Sequence, residues 1–372
     1  MPGGASPTLI VGAGPAGLAT AAELARRGQP YRLLERGHTI AHTWESLYDS
    51  LTLHTGRHMS TLPGLRYPAG TSLFPTRAEF IAYLRRYVTA KGITAELQRE
   101  VLRLERSDAG WRAHTNDGDV VDARAVVMAT GIVAKPRMPE LPGRSDFGGE
   151  VLHSVSYLRP TPYVGKRVLV VGVGNSGGEI GSELARAGAN VTVAVRSGAN
   201  VVPRQIGPFP TQYVRYLLGN LPRSMQIKVL GLVQRRLIRR YGESPLPRAS
   251  VSALDAIPLI GFGLVDAIRE GRIQLHHGAP AAYTATGVRF DDGVTQDFDV
   301  VLFATGYSPA IDSLGTLVQR DARGFAARTD RVTSADQAGL WFVGHNYDHT
   351  GGITNIRRDA PLVAAAIAAA SR

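Results

Sequence analysis

The apolar positions of the chain are arranged in two segments of the same design, residues 8–35 and residues 168–196. Each segment begins with a continuous apolar run, passes through a glycine-rich turn into a stretch with helical spacing, and ends in a second apolar run. This order predicts a strand, a helix and a second strand parallel to the first. It is the order of the βαβ units that bind dinucleotides.

The turns of the two segments carry the glycine fingerprint of dinucleotide sites. Their first glycines are 160 positions apart (172 − 12 = 160). Glycines at these places permit a tight turn and bring a pyrophosphate close to a helix N-terminus. One such motif is weak evidence, but two at domain-sized spacing predict two dinucleotide sites. The residues assigned to them are Gly12, Gly14, Pro15, Ala16 and Gly17 in the first turn, and Gly172, Gly174, Asn175, Ser176 and Gly177 in the second.

Two further apolar runs, residues 125–131 and 300–307, end in the same small-Thr-Gly turn. Such a turn lets the backbone come close to a cofactor, and the alternative is a tight turn that only ends a buried strand. The turn residues are Thr130 and Gly131 in the first run, and Thr305, Gly306 and Tyr307 in the second.

The C-terminal part of the chain predicts a return to the first domain. Residues 339–344 have the pattern of a last strand ending at Gly344, and a helix is predicted from Asp359 to Ser371 after a loop that holds Ile353 and Thr354. The N-terminus of that helix would bring backbone N–H groups to a polar edge of a cofactor.

The residues that end the second strand of each βαβ unit differ in charge. Glu35 lies 18 residues after Gly17 (35 − 17 = 18), where a carboxylate accepts hydrogen bonds from ribose hydroxyls and repels a 2′-phosphate. Arg196 lies 19 residues after Gly177 (196 − 177 = 19), where a guanidinium can bind a 2′-phosphate. Arg204 is a second candidate contact, and an ordinary surface arginine is the alternative reading of Arg196. The sequence predicts FAD or NAD at the first unit and NADP at the second.

These motifs predict an α/β fold with two Rossmann-like dinucleotide-binding domains, each of three layers (ββα). Residues 1–158 and 304–372 are predicted to form the FAD domain, and residues 159–303 an NADP domain inserted into it. The stretch 211–241, broken at Pro222, predicts basic amphipathic helices. They could pack on the domain with a solvated basic face, cover the substrate entrance, or contact a membrane surface.

The composition limits the kinds of cofactor site and binding partner that the sequence predicts. The 372 residues include no cysteine, which excludes disulfide scaffolds, thiolate metal sites and flavin reductases that work through a dithiol. No metal site is predicted. The formal charge is +11, but only four of the 42 basic residues are lysines, and no basic run is interleaved with aromatic residues. The charge therefore suits anionic dinucleotides and does not predict a nucleic-acid partner.

The sequence also bears on location. The first eight residues lack a charged n-region and a cleavable apolar stretch, so no signal peptide is predicted. No run of 18 apolar residues exists, so no transmembrane segment is expected, and peripheral membrane contact is not favoured. We expect a cytoplasmic protein, and a homodimer remains open.

Residues 147–157 match the pattern F-x-G-x-x-x-H-x-x-x-Y/F and in this resemble the flavin-containing monooxygenases. The related Baeyer–Villiger pattern ends in tryptophan, where this chain has Tyr157. Trp44 and the segment 48–54 are similar to the W…Y-D-x-L-x-L-H segment of the YUCCA-type branch, and this similarity extends over nearly the whole chain. His153 is diagnostic of the family, but we interpret it as a structural linker residue that packs the two domains.

The resemblance implies an NADPH-dependent FAD monooxygenase that uses O2 and oxygenates a small organic substrate through a flavin C4a-(hydro)peroxide. The substrate would be a 2-oxo acid, as for YUCCA enzymes, or a soft nitrogen or sulfur nucleophile. Three alternatives stay open: a Baeyer–Villiger reaction on a ketone, an NADPH oxidase or electron-transfer reductase, and a non-catalytic NADPH-sensing flavoprotein.

Two departures from the family pattern lie near the flavin. His54 takes the place of an asparagine beside the flavin, and it could hydrogen-bond the flavin or serve as a structural histidine after an apolar strand. Residues 41–43, Ala-His-Thr, replace a glycine pair before Trp44.

Further cofactor contacts are assigned to Arg36 and Val101.

Overall fold

The computed structural model describes residues 6–108, 110–219, 221–249, 251, 257–346, 348 and 350–370. They form two compact units. Unit 1 contains the described residues up to Lys135 and those from Tyr307 onward, and unit 2 runs from Pro136 to Gly306.

Helices occur in both units. They are α1 (Pro15–Arg26), α2 (His42–Glu45), α3 (Arg77–Lys91), α4 (Asn175–Arg186), α5 (Thr211–Leu218), α6 (Arg223–Tyr241), α7 (Gly263–Arg269) and α8 (Gly352–Ala370). The local sequence explains where several of these helices begin or end. Helix α1 has a proline in its first turn, and α3 begins with a capping box between Thr76 and Glu79 and ends at Gly92 in a left-handed conformation.

The strands are short. They are β1 (Thr8–Val11), β2 (Tyr31–Leu34), β3 (Val101–Ser107), β4 (Gly110–Thr115), β5 (Val120–Ala123), β6 (Ala125–Met128), β7 (Lys135–Pro136), β8 (Glu150–His153), β9 (Arg167–Val171), β10 (Asn190–Val195), β11 (Val201–Val202), β12 (Gln205–Ile206), β13 (Phe209–Pro210), β14 (Leu259–Ile260), β15 (Ile273–His277), β16 (Pro280–Tyr283), β17 (Gly287–Phe290), β18 (Thr295–Asp297), β19 (Val300–Phe303), β20 (Tyr307–Ser308) and β21 (Leu340–Phe342).

The central sheet of unit 1 is parallel, in the order β2-β1-β6-β21. Successive side chains of a strand point to opposite faces, so alternate residues enter two different cores. Ile10 and Val127 pack with helices α1, α3 and α8, whereas Leu9 and Val126 pack with the antiparallel sheet β3-β4-β5. Because both faces are covered, these strands appear in the sequence as uninterrupted apolar runs.

Unit 2 repeats this plan with a parallel sheet in the order β15-β10-β9-β19-β8. Leu169 and Phe303 on one face pack with Phe290 of the antiparallel sheet β16-β17-β18. On the other face lies α4, whose Gly181 faces Val193 at van der Waals distance. The predicted α/β class with parallel sheets is confirmed.

Three structural details differ from the predictions. Helix α8 begins at Gly352, seven residues before the predicted start at Asp359 (359 − 352 = 7), and Ser371 lies outside the described residues. The first boundary between the units falls at 135/136 and not at 158/159, because β8 pairs in register with β19. His54 does not follow a strand, since the nearby backbone makes only an isolated bridge between Thr52 and Thr76.

The predicted basic helices are α5 and α6. No residue of α6 is buried, and its last turn carries Arg239 and Arg240. Over the residues that the structure describes, none of the helices combines the length and the apolar character needed to cross a bilayer.

Candidate functional site

In the first glycine turn, two glycines are needed for close packing of the backbone, and the third leaves open space next to the helix. Gly12 has φ +102°, and a Cβ there would lie 2.9 Å from the carbonyl oxygen of Ala129. A Cβ at Gly17 would lie 1.9 Å from the carbonyl oxygen of Gly12. A Cβ at Gly14 would meet nothing within 4 Å. Gly12 and Gly17 therefore allow the chain to pack, whereas Gly14 leaves open space in front of α1, as a bound pyrophosphate requires.

The second turn has the same geometry. Gly172 has φ +107°, and a Cβ there would lie 2.8 Å from the carbonyl oxygen of Ala304. A Cβ at Gly177 would lie 2.0 Å from the carbonyl oxygen of Gly172, while Gly174 faces open space. Both turns thus fit a dinucleotide phosphate, since the first N–H groups of each following helix have no acceptor within the helix.

The two Thr-Gly turns differ in hydrogen bonding. Gly131 and Gly306 both have positive φ, +76° and +85°. Thr305 Oγ1 donates to the carbonyl oxygen of Arg137. Thr130 Oγ1 is buried without a hydrogen-bond partner in the described part of the chain. A buried hydroxyl without a partner is costly, so this atom fits contact with a polar group of a bound ligand.

Glu35 is buried and fixed by the first glycine turn. Its Oε2 accepts a hydrogen bond from the backbone N–H of Ala13 at 2.7 Å, and its Oε1 accepts one from Gly37 at 2.9 Å. Each carboxylate oxygen can accept a second hydrogen bond. The carboxylate is therefore oriented and can still receive ribose hydroxyls.

The charged residues of the second site are more open. Arg196 directly follows β10 and is exposed. Arg204 is half-buried and forms an ion pair with Glu179 at 3.4 Å. Asn175 uses its side chain within the fold, because its Oδ1 accepts from the backbone N–H of Ile260 at 2.8 Å. Ser176, beside it in the first turn of α4, is half-buried.

The remaining predicted contacts lie in unit 1. Arg36 is exposed and Val101 is buried at the start of β3. Trp44 lies in α2, with its ring edge-on to that of Phe80 at 4.4 Å between centroids. A Cβ at Gly344 would lie 2.9 Å from Cβ of Ala16, which places the end of the last strand against the first turn of α1. In the first turn of α8, Ile353 is buried and Thr354 is half-buried.

His54 is half-buried in a loop of unit 1. The backbone N–H of Leu53 donates to the carbonyl oxygen of Pro75 at 2.8 Å, which holds the chain just before it. Five residues further on, the carbonyl oxygen of Met59 accepts a hydrogen bond from Thr354 Oγ1 at 3.0 Å. The loop that carries His54 is therefore attached to the N-terminal turn of α8.

His153 is held inside unit 2 by two hydrogen-bond contacts. It is buried, and its Nε2 lies 3.1 Å from the carbonyl oxygen of Gly306. Its Nδ1 accepts a hydrogen bond from the backbone N–H of Val155 at 3.2 Å. Burial lowers the pKa of His153, so its neutral form is favoured. Its predicted role as a linker between the domains stays a prediction.

Unit 1 contains a cavity of about 570 Å³ that we call the Arg328 cavity. One of its lining residues, His345, directly follows Gly344 in the sequence. Its lining is mostly charged and polar, and none of the lining residues is among those predicted to form a site. The lining residues are Gln319, Arg320, Asp321, Arg323, Phe325, Ala326, Ala327, Arg328, Asp330, His345, Asn346 and Asp348.

The guanidinium of Arg328 is half-buried in this cavity. Its Nη1 donates to the carbonyl oxygen of Arg331 and to Oδ1 of Asn346, both at 2.9 Å. Within the described residues, no carboxylate lies within ion-pair distance of it. Burial lowers its pKa, as expected for a charge partly removed from water.

His345 lies beside Arg328 and is buried. Burial, with the nearby charge of Arg328, lowers the pKa of His345 to about 3, so the ring is neutral. Its Nε2 has no hydrogen-bond partner among the residues that the structure describes. The cavity thus combines a guanidinium that has no carboxylate of the described residues at ion-pair distance, a neutral imidazole, and the more distant carboxylates of Asp321 and Asp330.

Comparison with known proteins agrees with the geometry of the two turns. Residues 9–222 match the family model described as pyridine nucleotide-disulphide oxidoreductase. The chain is 35% identical over 315 residues to indole-3-pyruvate monooxygenase YUCCA1 of Oryza sativa subsp. japonica, covering 82% of this chain and 77% of the relative. It is 37% identical over 312 residues to the probable indole-3-pyruvate monooxygenase YUCCA1 of Arabidopsis thaliana, covering 80% and 75%.

A solved structure extends the likeness to the fold. The flavin-containing monooxygenase of Stenotrophomonas maltophilia superposes with a TM-score of 0.76 at 24% identity, over 98% of this chain and 99% of that one. The sequence relatives establish the family, and the predicted resemblance is confirmed. The chain belongs to the flavin monooxygenases, in the group that contains the YUCCA enzymes, and is an FAD- and NADPH-dependent enzyme that oxygenates a small substrate with O2.

Proposed function

We propose that unit 1 binds FAD and that unit 2, whose sequence is inserted within that of unit 1, binds NADPH. The matching open space at Gly14 and Gly174 supports one dinucleotide in each unit. The buried carboxylate of Glu35 favours a ribose with a free 2′-hydroxyl. The exposed guanidinium of Arg196 suits the 2′-phosphate of NADPH. FAD, when bound, accepts the hydride of NADPH and activates O2.

We further propose that the substrate is a 2-oxo acid with an apolar side chain. The relatives named as indole-3-pyruvate monooxygenases support this substrate class. In this reaction the bond between C1 and C2 breaks and C1 leaves as CO2. One atom of O2 enters the new carboxyl group and the other leaves as water, and NADPH supplies the two electrons.

The single observation that carries this proposal is the guanidinium of Arg328 in its cavity. A half-buried guanidinium with no carboxylate at ion-pair distance in the part of the chain that the structure describes favours an anionic ligand, because a direct pair would add to the weaker effect of the more distant Asp359, Asp321 and Asp330 in offsetting the cost of burial. Asn346 holds the guanidinium in place, and the neutral ring of His345 can donate one hydrogen bond to an oxygen of the ligand. We assign the substrate carboxylate to these residues.

The substrate class is tested with a panel of 2-oxo acids, a thioether, a tertiary amine and a cyclic ketone. We expect NADPH oxidation to yield an equal amount of CO2 from indole-3-pyruvate or phenylpyruvate, with one 18O atom from 18O2 in the acetic acid product. Oxygenation of only the thioether or the ketone would contradict the 2-oxo acid. NADPH consumption that yields only H2O2 with every compound would favour the oxidase reading.

The assignment of Arg328 has its own test. Arg328→Gln should raise KM for the 2-oxo acid about 10- to 100-fold, because a charge-assisted hydrogen bond contributes roughly 1.5–3 kcal/mol. KM for NADPH should not change. Arg320→Gln is the matched control, because Arg320 lines the same cavity but is already paired with Asp312 at 3.1 Å. An equal rise in both variants would show that the cavity does not select the carboxylate through Arg328.

For His54 we propose a role beside the flavin. His54→Ala should leave FAD content and NADPH oxidation nearly unchanged and increase the H2O2 formed per NADPH. Loss of one hydrogen bond worth about 1–3 kcal/mol would increase the rate of H2O2 formation roughly 5- to 150-fold. The measurement is peroxide yield per NADPH in the presence of substrate. His54→Asn, which restores the family's amide, should recover much of the coupling, and unchanged coupling in the alanine variant would make His54 structural.

A further inference from the structure

Two histidines and a glutamate converge at helix α2, outside the residues used above. His42 and Glu45 are the first and last residues of the helix, and His38 lies in the loop before it. One potential ligand atom from each of the three lies within 4.8 Å of the other two. The rings of His38 and His42 are in edge-to-face contact, with centroids 4.7 Å apart.

The donor set is one that zinc prefers. Zn²⁺ binds imidazole nitrogen and carboxylate oxygen at about 2.0–2.2 Å, so its ligand atoms lie roughly 3.3 Å from one another in a tetrahedral site. The side chains of His38, His42 and Glu45 would need to approach by about 1.5 Å at most from the present bound of 4.8 Å. Since α2 is short and His38 is exposed, rotation of side chains can supply this movement.

The hydrogen bonds around the cluster leave one imidazole nitrogen without a partner and engage both carboxylate oxygens of Glu45. His42 Nδ1 is buried and makes no hydrogen bond with any residue that the structure describes, so no such bond fixes its tautomer. Glu45 accepts hydrogen bonds from Thr39 Oγ1 and from the guanidinium of Arg85, each at 2.6 Å.

The segment that carries the cluster is fixed to the first glycine turn. The backbone N–H of Ala41, which has φ +61°, donates to the carbonyl oxygen of Ala13 at 3.1 Å. The N–H of Gly37 donates to the carboxylate of Glu35. A metal held by residues 38, 42 and 45 would therefore tie together the segment between Glu35 and Trp44.

We propose that His38, His42 and Glu45 bind one divalent transition-metal ion, with Zn²⁺ as the preferred ion. Three protein ligands leave a fourth position of the ion for water. The lack of cysteine excludes thiolate ligands and no metal was predicted, whereas this site uses two histidines and a glutamate spaced four and three residues apart. Arg85 competes with the ion, because its guanidinium occupies the carboxylate that the metal needs.

The proposal is tested with untagged, FAD-saturated protein that has been treated with a chelator and then titrated with ZnCl2 in a calorimeter. We expect one saturable site per chain, with little competition from Mg²⁺, which prefers oxygen ligands. Binding should also raise the thermal midpoint, because an ion that binds only the folded chain stabilises it.

Variants separate this site from general surface binding. His38→Ala and Glu45→Gln should each weaken Zn²⁺ binding by about tenfold or more. Arg85→Gln should strengthen binding by removing the competing cation. His114→Ala is the matched control, since His114 lies 2.9 Å from Glu105 in another histidine–carboxylate pair of unit 1. Absence of a saturable site, or equal Zn²⁺ affinity in the wild type and the His38→Ala/Glu45→Gln double variant, would overturn the proposal.

Discussion

Gly14→Val is expected to yield a folded protein that purifies without FAD. The backbone at Gly14 has φ −75° and ψ −174°, an extended conformation that valine adopts readily, and a Cβ there meets no atom of the chain within 4 Å. The added methyl groups would occupy the space that the pyrophosphate needs in front of α1. A steric overlap between the valine and the pyrophosphate that costs about 3 kcal/mol or more would weaken FAD binding on the order of 100-fold or more. The measurement is the ratio of flavin absorbance to protein absorbance after purification.

Two variants make this experiment specific. Gly174→Val has an equally compatible backbone, with φ −70° and ψ −178° and open space around its Cβ, and it should keep FAD but lose reduction of the flavin by NADPH. Gly17→Ala should instead impair folding, because its Cβ would lie 1.9 Å from the carbonyl oxygen of Gly12. Full flavin content in Gly14→Val, or loss of flavin in Gly174→Val, would contradict the assignment of FAD to unit 1 and NADPH to unit 2.

Much of the fold could be predicted because its signals are local. A parallel strand covered on both faces is an uninterrupted apolar run, and positions 12 and 172 require a positive φ that glycine adopts without strain. The contrast between Glu35 and Arg196 also follows from position along the chain alone. In each case one short stretch of sequence carries the signal, and the cofactor contacts of Glu35 and Arg196 stay predictions.

Other features depend on contacts that no periodicity records. The first turns of α8 contain glycine, threonine, asparagine and two arginines beside the buried Ile353 and Ile356, so the dense apolar pattern begins only near Asp359, although the helix begins at Gly352. The apolar residues before His54 suggested a strand, but they pack as a loop against residues 73–75. The spacing of His38, His42 and Glu45 is visible in the sequence, but their convergence depends on the short helix α2, which the sequence did not predict.

A polar network that shares Asn346 with the Arg328 cavity is another such feature. Asp359 is fully buried in α8 and accepts hydrogen bonds from Arg331 Nε at 3.0 Å and from Asn346 Nδ2 at 2.6 Å. Arg331 also donates to Oδ1 of Asn355 at 2.9 Å. Since Asn346 in turn holds Arg328, one buried carboxylate supports both the helix and the proposed carboxylate site.

Asp359→Ala is therefore expected to destabilise the protein by about 3 kcal/mol, the lower end of the range for breaking a buried ion pair, because the side chain of Arg331 is 32% exposed and water can solvate it. Asp359→Asn should lose less, since its Oδ1 can still accept from Arg331. Asp122→Ala, which removes an exposed pair with Arg112, should cost no more than about 1 kcal/mol. Urea unfolding of the FAD-saturated variants measures these differences. Equal midpoints for Asp359→Ala and Asp122→Ala would show that the buried network contributes no more to stability than an exposed ion pair.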